Sequence, residues 1–146
     1  MERLTSTETL EVSGVTYRQL DYWVRKGYFI SDHPTATAER GSGNLRFFSY
    51  NDAFRLRVIK TLIDRGVAVD IATEVSNHID TSIQGSWYVT VEDGETHLSA
   101  AEDNFQGDAA ILICVSSIKK PFDKKLVEIQ EQQPLTLFRE TANVEN

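Results

Sequence analysis

Cysteine is nearly absent from this chain: Cys114 is the only one among 146 residues, so no internal disulfide can form. It lies in the apolar run Ala109–Val115, where it reads as a reduced thiol buried as a small hydrophobe. That run is also the longest apolar stretch, far too short to span a bilayer. The N-terminus has none of the apolar core a secretory signal needs, so a cytoplasmic protein is expected. His33, His78 and His97 are dispersed without metal-ligand spacing, and no metal or other cofactor is expected. No Ser-His-Asp set, phosphate loop or paired carboxylates stand out. Glu92, Asp93 and Glu95 flank an Asp93-Gly94 turn and read as a solvated hairpin. A disulfide scaffold and a membrane span are excluded, and no enzymatic activity is expected.

What is present is a globular composition, 40% hydrophobic and 25% charged, with a net charge of -7. The charge is unevenly placed. Residues 1–79 hold ten Lys/Arg and ten Asp/Glu, whereas residues 80–146 hold five against twelve, which accounts for the whole -7. An acidic total therefore does not argue against a polyanionic partner for the first half, where a local basic face is what matters.

Helix-start signals recur along that first half. Thr5 and Glu8 have capping-box spacing and open a helix to about Val12, which Ser13-Gly14 breaks. Thr16 and Gln19 repeat the spacing and start a second helix through about Lys26, with Leu20 and Trp23 on one face and Gly27 as its cap. Two short helices joined by a glycine turn form a helix-turn-helix pattern. Pro34 and Gly41-Ser42-Gly43-Asn44 mark a loop or hairpin, followed by a strand-like Leu45–Phe48. Ser49 and Asp52 form a third pair at capping-box spacing. The helix after them carries Leu56, Ile59, Leu62 and Ile63 on its apolar face, with Arg55, Arg57 and Lys60 largely off it. A shorter helix has Ile71, Val75 and Ile79 at four-residue spacing.

Residues 80–86 read as a linker. Beyond it, Trp87–Val91 and Thr96–Ala100 flank the hairpin dipeptide, and Ala109–Ser116 is expected to be a central strand. Ile118, Phe122, Leu126 and Ile129 mark an amphipathic helix with Pro121 in its first turn. The expected fold is α+β: a helix-turn-helix domain over residues 1–80, a module of three strands and a helix over 87–132, and a flexible tail over 133–146.

The segment Gly14-Val-Thr-Tyr-Arg-Gln-Leu-Asp-Tyr-Trp-Val-Arg-Lys-Gly27 resembles the recognition-helix signature of the MerR family, and Gly43-Asn-Leu-Arg-Phe-Phe-Ser49 resembles that family's wing. The likeness extends over residues 5–79. Arg18-Gln-Leu-Asp-Tyr-Trp23 and the Gly41-Ser-Gly43 wing are most similar to the small actinobacterial FtsR-like group, regulators associated with cell-division genes. The resemblance implies a winged helix-turn-helix that binds double-stranded DNA as a transcriptional regulator, bacterial or phage-encoded and nucleoid-associated.

Physical chemistry gives that implication residues. A helix N-terminus in the major groove brings Thr16, Tyr17, Arg18 and Gln19 to the duplex, where Arg reads guanine and Gln reads adenine. Tyr22 reaches a phosphate one turn on. Arg40 and Arg46 flank the wing, suited to the minor groove or backbone. Arg25, Lys26, Arg55 and Arg57 are candidate phosphate contacts, although Arg55 and Arg57 point to nearly opposite faces of their helix, so at most one of the two faces DNA well. Asp21 departs from the wider family, which commonly has Arg there, and can pair with Arg18 or Arg25.

Many MerR proteins are joined by a long coiled coil, and the sequence lacks one. A homodimer is therefore expected through the C-terminal module, by its edge strand or by the 118–130 helix. A small-molecule effector site around Trp87 and Tyr88 ranks below that interface. The alternative function is an excisionase-like DNA-bending factor for recombination; such proteins are typically shorter and more basic.

Overall fold

The computed structural model describes residues 3–32, 47–79 and 83–132. The described elements run β1 (Leu4–Thr5), α1 (Ser6–Ser13), α2 (Tyr17–Arg25), β2 (Phe47–Phe48), α3 (Tyr50–Asp64), α4 (Val69–Ser76), β3 (Ser86–Glu92), β4 (Glu95–Ala100), β5 (Ile111–Cys114) and α5 (Val115–Gln132). The α+β expectation holds: a helical N-terminal region precedes a small sheet and a helix.

All three anticipated capping boxes are present. Thr5, Thr16 and Ser49 each accept the backbone N–H three residues on, and Glu8, Gln19 and Asp52 each return the bond to the cap's own N–H. Each pair satisfies backbone donors that a helix start otherwise leaves open. Between α1 and α2 the chain turns on Gly14, whose φ of 81° favours glycine and whose N–H bonds the Leu10 carbonyl. Gly27 likewise adopts a φ of 79° directly after α2.

α3 is the central support. Ala53, Phe54, Leu56, Val58 and Ile59 are fully buried, as Leu4, Leu20, Phe29 and Phe48 are beside them. β1 pairs antiparallel with β2, Leu4 opposite Phe48, a contact between distant segments that no local pattern announces. Val75 and Ile79 anchor α4 in the core.

The second sheet corrects the expected strand order. It is antiparallel with β3 in the centre, so the apolar β5 is an edge strand, not the central one. The Val115 N–H bonds the Gly85 carbonyl, and by the alternation of an antiparallel ladder the main-chain groups of Leu112 and Cys114 face away from β3. Val89 and Ile113 on the inner face are buried, whereas Leu112 on the outer face is 56% exposed. Trp87 and Tyr88, adjacent on β3, lie on opposite faces and cannot line one pocket. Trp87 donates to the Gln84 carbonyl, and Tyr88 packs on Phe105 at 5.1 Å.

α5 begins at Val115, directly after β5, so Pro121 lies inside the helix rather than in its first turn. Its apolar face is consumed within the chain. Phe122 meets the rings of Phe54 at 5.3 Å and Tyr50 at 5.5 Å, and Leu126 and Ile129 are buried. The Tyr50 hydroxyl donates to Asp123, which also binds Lys119 at 3.0 Å. Burial and the Asp123 bond raise the Tyr50 pKa; bonding to Tyr50 and Asp123 raises that of Lys119. The helix–sheet half is thus fastened to α1 and α3 through a continuous core.

Candidate nucleic-acid interface

On α2 the buried side chains are Leu20 and Trp23. Arg18, Tyr22 and Arg25 follow each other at intervals of four and three residues on the opposite face, where all three are exposed. Together with Thr16, Tyr17 and Gln19 they line one shallow concave surface. Tyr17 and Tyr22 are exposed by 58% and 42%, high values for aromatic side chains. Lys26 sits 5.7 Å over the Tyr22 ring, and the Tyr28 ring lies 6.2 Å from it in a tilted arrangement.

The side chains brought together differ in how free they are. Thr16 and Gln19 are engaged in the cap: Gln19 Oε1 accepts the Thr16 N–H at 3.0 Å, and Thr16 Oγ1 accepts the Gln19 N–H at 3.1 Å. Reading adenine in two-pronged fashion needs both the carbonyl and the amide of a Gln, so Gln19 must leave its cap to do it. Arg25 Nε binds Asp21 at 2.9 Å, one of the two pairings open from the sequence. The acidic Asp21 therefore orients a cation on this surface.

Arg55 is a correction. Its side chain is 9% exposed and lies inward, 4.5 Å over the Phe29 ring, with Nη2 donating to the Ile30 carbonyl at 2.9 Å. Nη1 lies 3.7 Å from both Asp52 and Asp32. Burial lowers the Arg55 pKa, opposed by the two carboxylates. Arg55 is thus withdrawn as a phosphate contact. The pattern that misled is plain: Arg55 falls beside, not on, the apolar stripe of α3, and only the tertiary approach of residues 29–32 covers it.

That approach is a structural device sequence reasoning missed. Asp52, fully buried, accepts from the Ser31 hydroxyl at 2.6 Å, the Asp32 N–H at 2.9 Å and the Ser49 N–H at 3.1 Å. Residues 31–32 and 49 bracket the segment that carries the anticipated wing, so Asp52 and Arg55 hold its two roots together. Arg40 and Arg46 themselves lie outside the described residues. Arg3, unremarked in the sequence, stands 4.5 Å over the Phe47 ring at one root.

Cys114 is also a correction. The thiol is only partly buried, 3.0 Å from the Ser117 hydroxyl. Hydrogen bonds from Ser117 and Ser86 lower its pKa to about 7. Among the described residues no group of three His, Cys, Asp or Glu could hold a metal, and no helix is long and apolar enough to cross a membrane.

A capped helix presenting arginine and tyrosine from its first turns, entered through a glycine turn from a supporting helix, defines a helix-turn-helix protein. Residues 4–78 match the MerR HTH family of regulatory proteins, and the chain belongs to that family. It is 33% identical over 69 residues to an uncharacterized HTH-type transcriptional regulator of Mycobacterium bovis and, at the same identity, to such regulators from two strains of Mycobacterium tuberculosis. The match covers 47% of this chain and 29% of each relative's length.

Proposed function

We propose that the protein is a sequence-specific regulator that binds double-stranded DNA through α2, with Arg18 as the principal base-reading residue. The observation that carries this is the exposed Arg18–Tyr22–Arg25 face on a helix whose start is capped by Thr16 and Gln19. Arg18 reads guanine in the major groove, while Tyr17, Tyr22, Arg25 and Lys26 meet phosphates and fix the register. Arg40 and Arg46 contribute from the wing. The relatives named as transcriptional regulators support the same reading.

The protein acts as a homodimer on paired half-sites. Of the two surfaces the sequence offered, the apolar face of α5 is occupied inside the chain, which favours the β5 edge with its outward-facing Leu112 and Cys114. An excisionase-like role fits less well, because residues 83–114 carry six carboxylates and no Lys or Arg to hold bent DNA. Selection of bound duplexes from a random pool tests the reading, with light scattering on the recovered complex. Recovery of a repeated motif by two copies of the chain is expected; retention of unrelated sequences at equal affinity contradicts it.

A further inference from the structure

We infer that α5 extends the DNA interface, with Lys125 and Arg57 forming a backbone-phosphate site beside the helix-turn-helix turn. The inference rests on the DNA-binding reading above and adds to it a contact made by the C-terminal half.

Charge in that half is segregated. Among residues 83–132 the four Lys and Arg residues are all lysines of α5, between Lys119 and Lys125. α5 is also an element that packs on α1 and α3. The lysines are not equivalent. Lys119 is held by Asp123 and lies over the Tyr50 ring. Lys120 and Lys124 are exposed, on the side of α5 turned from its buried face. Lys125 lines a cleft shared with Arg57 of α3, Gly14 of the turn, and Glu11.

The cleft borders Gly14, two residues before the Thr16 cap, and so adjoins the end of α2 that enters the groove. Arg57 Nη1 donates to the Ser13 carbonyl at 3.2 Å. A Cβ on Gly14 would come within 3.0 Å of the same nitrogen, so the glycine also makes room for the guanidinium. A guanidinium has five N–H donors, and this bond uses one. Among the described residues neither Arg57 nor Lys125 makes an ion pair. Two cations against the one carboxylate of Glu11 leave a positive cleft next to the turn. A duplex phosphate, anionic and rich in acceptor oxygens, complements it.

Salt-dependent binding of the full chain to a selected duplex tests this, comparing wild type, Lys125→Gln and the double variant Lys120→Gln/Lys124→Gln. Lys125→Gln should weaken binding about three- to tenfold at moderate salt and lower the slope of log affinity against log salt by about 0.9, leaving base preference unchanged. The double variant removes more charge elsewhere on the helix and should change less. Lys125 is exposed, so the unfolding midpoint should not move. An unchanged slope in Lys125→Gln, or a double variant that matches it, overturns the inference while the α2 reading stands. A wild-type chain that binds no duplex overturns both.

Discussion

The outer face of α2 and the outer face of the β3–β5 sheet both leave an apolar or aromatic side chain at the surface, but with opposite electrostatics. On α2, Tyr17 and Tyr22 stand among Arg18, Arg25 and Lys26. On the sheet, Leu112 stands in a stretch, residues 83–114, that has six carboxylates and no Lys or Arg. The charge of the first surface suits a polyanion, and that of the second does not. One small chain thus carries two surfaces of opposite charge character, although a continuous core joins the two regions.

The strongest way to break this comparison is at the joint. Phe122→Ala removes the ring that meets Phe54 and Tyr50 and should cost about 3–5 kcal/mol, with helical and sheet regions unfolding in one urea transition. Two separate transitions, the helical one unmoved, would mean that the halves fold independently. Next in size is Arg55→Ala. It leaves Asp52 buried without its cation and should cost about 3 kcal/mol by thermal or chemical unfolding. Below its melting range the variant should keep the wild-type salt slope, because the Arg55 side chain is buried away from the surface; a flattened slope would return it to the interface. The smallest effect concerns the sheet end. With its pKa lowered, the Cys114 thiolate should form through about pH 7, so iodoacetamide alkylation should titrate there rather than near the ordinary value of about 8.5. By linkage, its contribution to stability is present at alkaline pH and is lost as pH falls through 7. An alkylation midpoint at the ordinary value contradicts the Ser117 and Ser86 hydrogen bonds.

How far the fold could be read from sequence follows the range of the interactions. Thr5/Glu8, Thr16/Gln19 and Ser49/Asp52 are local pairs, and each starts its helix where its spacing says. The α2 face was legible for the same reason, since Leu20 and Trp23 alone decide which side turns outward. Arg55 was misread because its cover, Phe29 to Asp32, comes from more than twenty residues away. The run Ile111–Cys114 looked central from its hydrophobicity, yet strand order depends on which partners arrive, and β4 and β5 both chose β3. Pairing of β1 with β2, and the docking of α5 on α1 and α3, are likewise tertiary facts with no periodic signature.

The central claim is that α2 reads base sequence through Arg18, and the most direct measurement is the affinity gap between a selected duplex and a scrambled one, in wild type and in Arg18→Ala. The account predicts that the substitution narrows the gap by about 1–3 kcal/mol, weakening the selected duplex far more than the scrambled one. Equal weakening of both duplexes would make Arg18 a phosphate contact and contradict the account.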